Sequence, residues 1–170
     1  MLQAPDSLLL SECSTQAACA LLANLLLKKY WLLATAESCT GGLIAATCTD
    51  LAGSSAWFER GFVTYSNEAK TEMLGVDATL IEAHGAVSQE VVRAMAQGAL
   101  AHSRAQVAVA VTGVAGPTGG SVAKPVGTVW FGFALPGQVI SEMCCFDGDR
   151  AQVRAATVRQ TLLRLAELLG

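Results

Sequence analysis

A chain of 170 residues, 52% hydrophobic and 15% charged, can bury a proper core without staples and leaves little room for disorder. Its net charge of −3 argues against a general nucleic-acid binder, which carries a basic patch. The longest apolar run, Ala17 to Leu27, contains Asn24 and stops at Lys28-Lys29, too short for a bilayer. No positive segment precedes the N-terminal leucines, so a cytoplasmic protein without membrane contact is expected.

Residues 1–10 offer Pro5-Asp6-Ser7 and a few leucines and read as an arm outside one domain spanning 11–170. From Ser11 to Lys28, Ala18, Leu21, Leu22, Leu25 and Leu26 recur at helical spacing, and the two lysines suit the negative end of that helix. Residues 31–36 read as a buried strand, followed by the turn Glu37-Ser-Cys-Thr-Gly-Gly42 and a helix ending near Gly53. Ser54-Ser55 reads as a loop, and 61–65 alternates like a strand. Ser66 or Asn67 caps a short helix holding Lys70 and Met73 that Gly75 stops, and a second covers 78–83. Ser88 opens a clearer helix with Val91, Val92, Met95, Ala99 and Leu100 on one face.

Gln106 to Val111 is a continuous apolar run, the mark of a central strand covered on both sides. Five glycines and two prolines between Thr112 and Gly127 exclude regular structure there. Strands 128–134 and 138–146 follow with hairpin spacing. Asp147-Gly-Asp149 starts a last helix whose buried face carries Val158, Leu162, Leu165 and Leu169. The expected fold is a single three-layer α/β/α domain with a mixed, partly parallel sheet.

The turn after the first strand concentrates the chemistry. Open α/β sheets place ligands at the carboxyl ends of their strands, where Ser38 stands. Unpaired N–H groups around Gly41 and Gly42 at a helix start suit a phosphate or an oxyanion. The bland alternative is a polar loop that only caps a helix. Lys70 is a surface cation or a general base for Ser38; a base must be neutral, and an unperturbed lysine is only about 0.04% neutral at pH 7. Ser–Lys pairs are a known variant of the Ser–His–Asp arrangement.

Cys39 is a rival nucleophile, since a thiolate beside a helix N-terminus is activated, but at a sharp turn only one of Ser38 and Cys39 faces a pocket. His84 and His102 lack acidic partners in sequence. The six cysteines form no C-x-x-C pair and have no histidine at ligand spacing; they read as buried free thiols, with no metal implied. The loop 112–120 lacks the order of a P-loop or a dinucleotide fingerprint, and Lys124 is placed to pin its far end. Arg150 and Arg154, four apart, share a helix face that suits a phosphate or is merely solvated.

Six stretches in order resemble the CinA C-terminal domain family, whose members include the nicotinamide-nucleotide amidohydrolases. They are Ala36-Glu-Ser-Cys-Thr-Gly-Gly42, Val63-Thr-Tyr-Ser-Asn-Glu-Ala-Lys70, Gly85-Ala-Val-Ser88, Val111-Thr-Gly-Val-Ala-Gly-Pro117, Lys124-Pro-Val-Gly-Thr-Val129 and Gly148-Asp-Arg150. The resemblance implies deamidation of nicotinamide mononucleotide to nicotinate mononucleotide and ammonia, a pyridine nucleotide salvage step, without cofactor or metal. Carried over by motif, Ser38 is the nucleophile and Lys70 its base. Thr40, Gly41, Gly42, Tyr65, Thr112 and Gly113 line the substrate site, and Arg150, with Arg154, meets the ribose phosphate. Some relatives are described through competence or DNA damage, for which these residues give no physical basis. A non-catalytic nucleotide-binding regulator and a cysteine hydrolase are the competing classes. The apolar first and last helices suggest a homo-oligomer.

Overall fold

The computed structural model describes residues 13–170; the expected N-terminal arm lies outside them. Twelve elements follow one another: α1 (Thr15–Lys29), β1 (Leu33–Glu37), α2 (Leu43–Asp50), a 3₁₀ turn (Ser54–Ala56), β2 (Phe58–Val63), α3 (Asn67–Leu74), α4 (Ala78–His84), α5 (Gln89–Ala101), β3 (Val107–Gly113), β4 (Thr128–Leu135), β5 (Gln138–Cys145) and α6 (Arg150–Leu169). The sheet runs β2-β1-β3-β4-β5, with β1 parallel to both neighbours and β4 antiparallel to both β3 and β5.

The sheet carries two different faces, and they set the three layers. Leu33, Val107, Val109, Val111, Phe131 and Phe133 meet α1, α2 and α6 on one side. Ala34, Ala36, Ala108 and Ala110 meet α3, α4 and α5 on the other. Small side chains let α5 come close: a Cβ at Gly132 would lie 2.6 Å from the Val92 carbonyl oxygen. All of Val107 to Thr112 is buried, as a strand covered on both faces must be.

Local signals match the element starts. Ser66 caps α3 through the Ala69 N–H, Ser88 caps α5, and Asp149 forms a capping box with Gln152 at the head of α6. The differences lie at boundaries. β1 starts two residues later than expected, and β2 starts three residues earlier and ends two earlier, at Val63, because its register is dictated by pairing with β1. α2 stops at Asp50 rather than near Gly53, and residues 54–56 form a 3₁₀ turn in place of a loop. The apolar faces of α1 and α6 pack on each other and on the sheet. No helix among the described residues is long and apolar enough to cross a membrane.

β1 sends its chain to β2 on one side through α2, while β3 lies on its other side. That reversal opens a crevice at the carboxyl ends of β1 and β3, where doubly wound sheets hold their ligands.

Candidate active site

Ser38 leaves β1 with its N–H bonded to Val111 O of β3, and Thr64 N–H bonds back to Glu37 O. The backbone around Ser38 is therefore gripped from both neighbouring strands. Glu37, fully buried, turns its carboxylate under the start of α2. One oxygen accepts from Thr40 Oγ1 (2.7 Å), Gly42 N (3.0 Å) and Ile44 N (3.0 Å); the other accepts from Ala45 N (2.8 Å). Gly42, the N-cap, has no side chain to do this, and its φ of +102° is one that glycine adopts readily.

Lys70 is 1% exposed, on the first turns of α3. Its Nζ lies 3.2 Å from Ser38 Oγ and 3.0, 3.2 and 3.3 Å from the carbonyl oxygens of Thr64, Tyr65 and Ser66. The Ser66 cap makes this possible: it starts α3 so that the 64–66 carbonyls converge on the amine one turn later. Lys70 forms no ion pair among the described residues. Burial pushes its amine below the ordinary lysine value, and the negative Glu68 recovers part of that. The carbonyls can take the N–H groups of a neutral amine and leave its lone pair for the Ser38 hydroxyl.

Ser38, Lys70, Tyr65, Thr112, Gly113 and Arg150 line one cleft of about 200 Å³. Thr112 is buried and ties β3 to the opposite wall by donating to Ala86 O (2.9 Å). Arg150 donates to Gly116 O (3.0 Å) and to Tyr65 Oη (3.2 Å), so the start of α6, the glycine-rich loop and the end of β2 meet at the mouth. Lys124 pins the far side of that loop through His84 O (3.1 Å).

The CinA C-terminal domain model matches residues 15–169, the whole of this architecture. The chain belongs to the CinA C-terminal domain family. The nicotinamide-nucleotide amidohydrolase PncC of Enterobacter agglomerans is 59% identical over 140 residues, covering 80% of this chain and 85% of its own. The protein of the same name from Pseudomonas putida is 60% identical over 134 residues, 79% of this chain and 84% of its own. The crystal structure of competence damage-inducible protein A from Klebsiella pneumoniae superposes with a TM-score of 0.88 at 43% identity, over 91% of this chain and 96% of the other.

Within this CinA C-terminal domain, four of the residues expected at the site stand apart from the cleft lining. The Thr40 hydroxyl is committed to Glu37. Gly41 N–H is taken by Ser38 O and Gly42 N–H by Glu37, so the glycines do not supply the free donors expected of them. Among the described residues, the Thr40 N–H is the one in this turn left without a partner, while that of Cys39 lies against its own sulfur. Arg154 shares its helix face with Arg150 but reaches the back of the turn, donating to Thr40 O (3.1 Å). Cys39 is a core residue whose thiol burial pushes up to about 11, so it is no thiolate at neutral pH. Not every cysteine is buried: Cys145 is exposed on β5, the far edge strand. Sequence reasoning missed Glu37 and the wall residues Asn67, Ala86 and Val87; their one signal was membership of the six stretches.

Proposed function

We propose that this domain hydrolyses the carboxamide of nicotinamide mononucleotide, releasing nicotinate mononucleotide and ammonia, with Ser38 as nucleophile and Lys70 as its base. The observation that carries the chemistry is the buried Lys70 amine, without an ion pair among the described residues, 3.2 Å from Ser38 Oγ. The substrate is inferred from the names of the PncC relatives.

Neutral Lys70 takes the Ser38 proton as Oγ bonds to the amide carbon and the carbonyl electrons move to oxygen. The Cys39 N–H, on the cleft wall beside Ser38, receives that oxyanion, a contribution whose loss typically costs about 10²–10³ in rate. When the carbonyl re-forms, the C–N bond breaks and Lys70 returns its proton to the leaving nitrogen, which departs as ammonia. Water, deprotonated by Lys70, then cleaves the acyl ester, and the proton goes back to Ser38. Arg150 at the mouth binds the phosphate, so binding energy remote from the reacting carbon orients the amide. These steps use the chain's own residues and no cofactor.

Ammonia release from nicotinamide mononucleotide by the wild type, Ser38→Ala, Lys70→Ala and Cys39→Ala, each checked for folding, tests the reading. Turnover lost with Ser38 or Lys70 and retained without Cys39 is expected. A folded wild type that binds the nucleotide without releasing ammonia would identify a binding module instead.

A further inference from the structure

Thr40 is fully buried, and all but one of its hydrogen-bonding groups are occupied. Its hydroxyl donates to Glu37 at 2.7 Å, and its carbonyl accepts from Leu43 N at 3.2 Å and from Arg154 at 3.1 Å. Among the described residues its N–H alone has no partner, and buried N–H groups are rarely orphaned without a reason. The preceding residue, Cys39, lines the cleft, and its N–H lies against its own sulfur rather than a backbone acceptor.

The donors at the head of α2 go to Glu37. The caps of α1, α3, α4, α5 and α6 are local: Ser14, Ser66, Asp77, Ser88 and Asp149 each accept from an N–H two or three residues ahead. At α2 the acceptor is a buried carboxylate five residues before the N-cap, on the last residue of a central strand. Burying a charge without a cationic partner is expensive, and a serine cap would hold the helix alone. Glu37 holds more: it binds Thr40 on the near side of the turn and Gly42, Ile44 and Ala45 on the far side.

We propose that Glu37 is a positioning residue: its carboxylate absorbs the amide donors at the head of α2 and locks the Ser38–Gly42 turn, holding the Ser38 hydroxyl against Lys70 and the Cys39 N–H at the cleft wall as a preorganised oxyanion donor. This rests on the amidase reading and deepens it. Donors aimed at developing charge help only if they need not reorganise, and a misplacement of about 1 Å can cost on the order of 10²-fold.

Glu37→Gln tests it, because the amide keeps the shape but puts an NH₂ against an N–H donor. With nicotinamide mononucleotide as substrate, kcat should fall about 100-fold. KM and the calorimetric affinity for nicotinate mononucleotide should stay within a few-fold, and the pH midpoint of the Lys70-dependent limb should not move. In amide hydrogen exchange, Ile44 and Ala45 should exchange faster while Val109 in β3 does not. If Glu37→Gln fails to fold, Thr40→Val, which removes only the hydroxyl donor to Glu37, should show the same selective loss of kcat. An active wild type whose folded Glu37→Gln or Thr40→Val keeps kcat within threefold overturns the positioning role alone. So does a variant whose KM rises in step with the fall in kcat. A wild type releasing no ammonia overturns the amidase reading together with it.

Discussion

The Lys70 amine makes the sharpest prediction, because its environment and the role proposed for it pull on the same proton. It is 1% exposed, and burial displaces its ionisation downward from the ordinary lysine value of about 10.4. Three carbonyls at 3.0–3.3 Å can each accept an N–H from the ammonium and so limit that displacement without reversing it. An undisplaced lysine would leave about 0.04% of the enzyme competent at pH 7, and each unit of depression raises that fraction about tenfold. The log of kcat/KM for ammonia release should therefore climb with unit slope and level off below pH 10.4. The same proton should be visible in stability. Between the folded midpoint and about 10.4 the unfolded chain binds a proton that the folded one has released, so unfolding free energy rises with pH there. The slope is at most about 1.36 kcal/mol per pH unit; the gain is complete above about 10.4 and is lost progressively as pH falls from there to the folded midpoint. Urea unfolding of the wild type and Lys70→Met across this range should give a difference that grows with pH. A kcat/KM limb centred at or above 10.4, or a stability difference flat in pH, would refute the claim that burial prepares the base.

Three further outcomes are expected. Cys39→Ala should retain turnover within about threefold, and iodoacetamide at pH 7.5 should not inactivate the wild type, because the thiol sits in the core and titrates at about 11. Arg150→Gln should raise KM for nicotinamide mononucleotide about 10- to 100-fold, the worth of a charge-assisted hydrogen bond, and should leave hydrolysis of nicotinamide riboside, which lacks the phosphate, nearly unchanged in steady-state assays. Gly98→Ala should lower the melting temperature by roughly 3–10 °C, since its Cβ would fall 2.1 Å from Leu74 O and force α3 away from α5 at a cost of about 1–3 kcal/mol. Calorimetry decides that last point.

Much of this molecule is legible along the chain. Periodicity locates the helices, the apolar run before Thr112 announces a strand buried on both faces, and serine or aspartate marks five of the six described helix starts, because these signals depend on neighbours within one or two turns. The proximity of Ser38 to Lys70 is legible only as a motif carried by resemblance. Their 3.2 Å contact depends on β1 and β2 being parallel neighbours, and strand order is a property of the whole sheet. The two arginines show the limit most clearly. Spacing puts them on one helix face, yet one turn of rise (about 5.4 Å) sends Arg150 to the cleft mouth and Arg154 to the back of the turn. The fate of the amide donors at α2 was equally out of reach. Glycines beside a helix start promise free N–H groups, but a carboxylate folded back from β1 consumes those of Gly42, Ile44 and Ala45, and the one left unpaired in this turn among the described residues is that of Thr40. Sequence determines which donors a turn can offer. Tertiary structure decides which remain free, because hydrogen bonds are satisfied in space by whichever buried acceptor arrives.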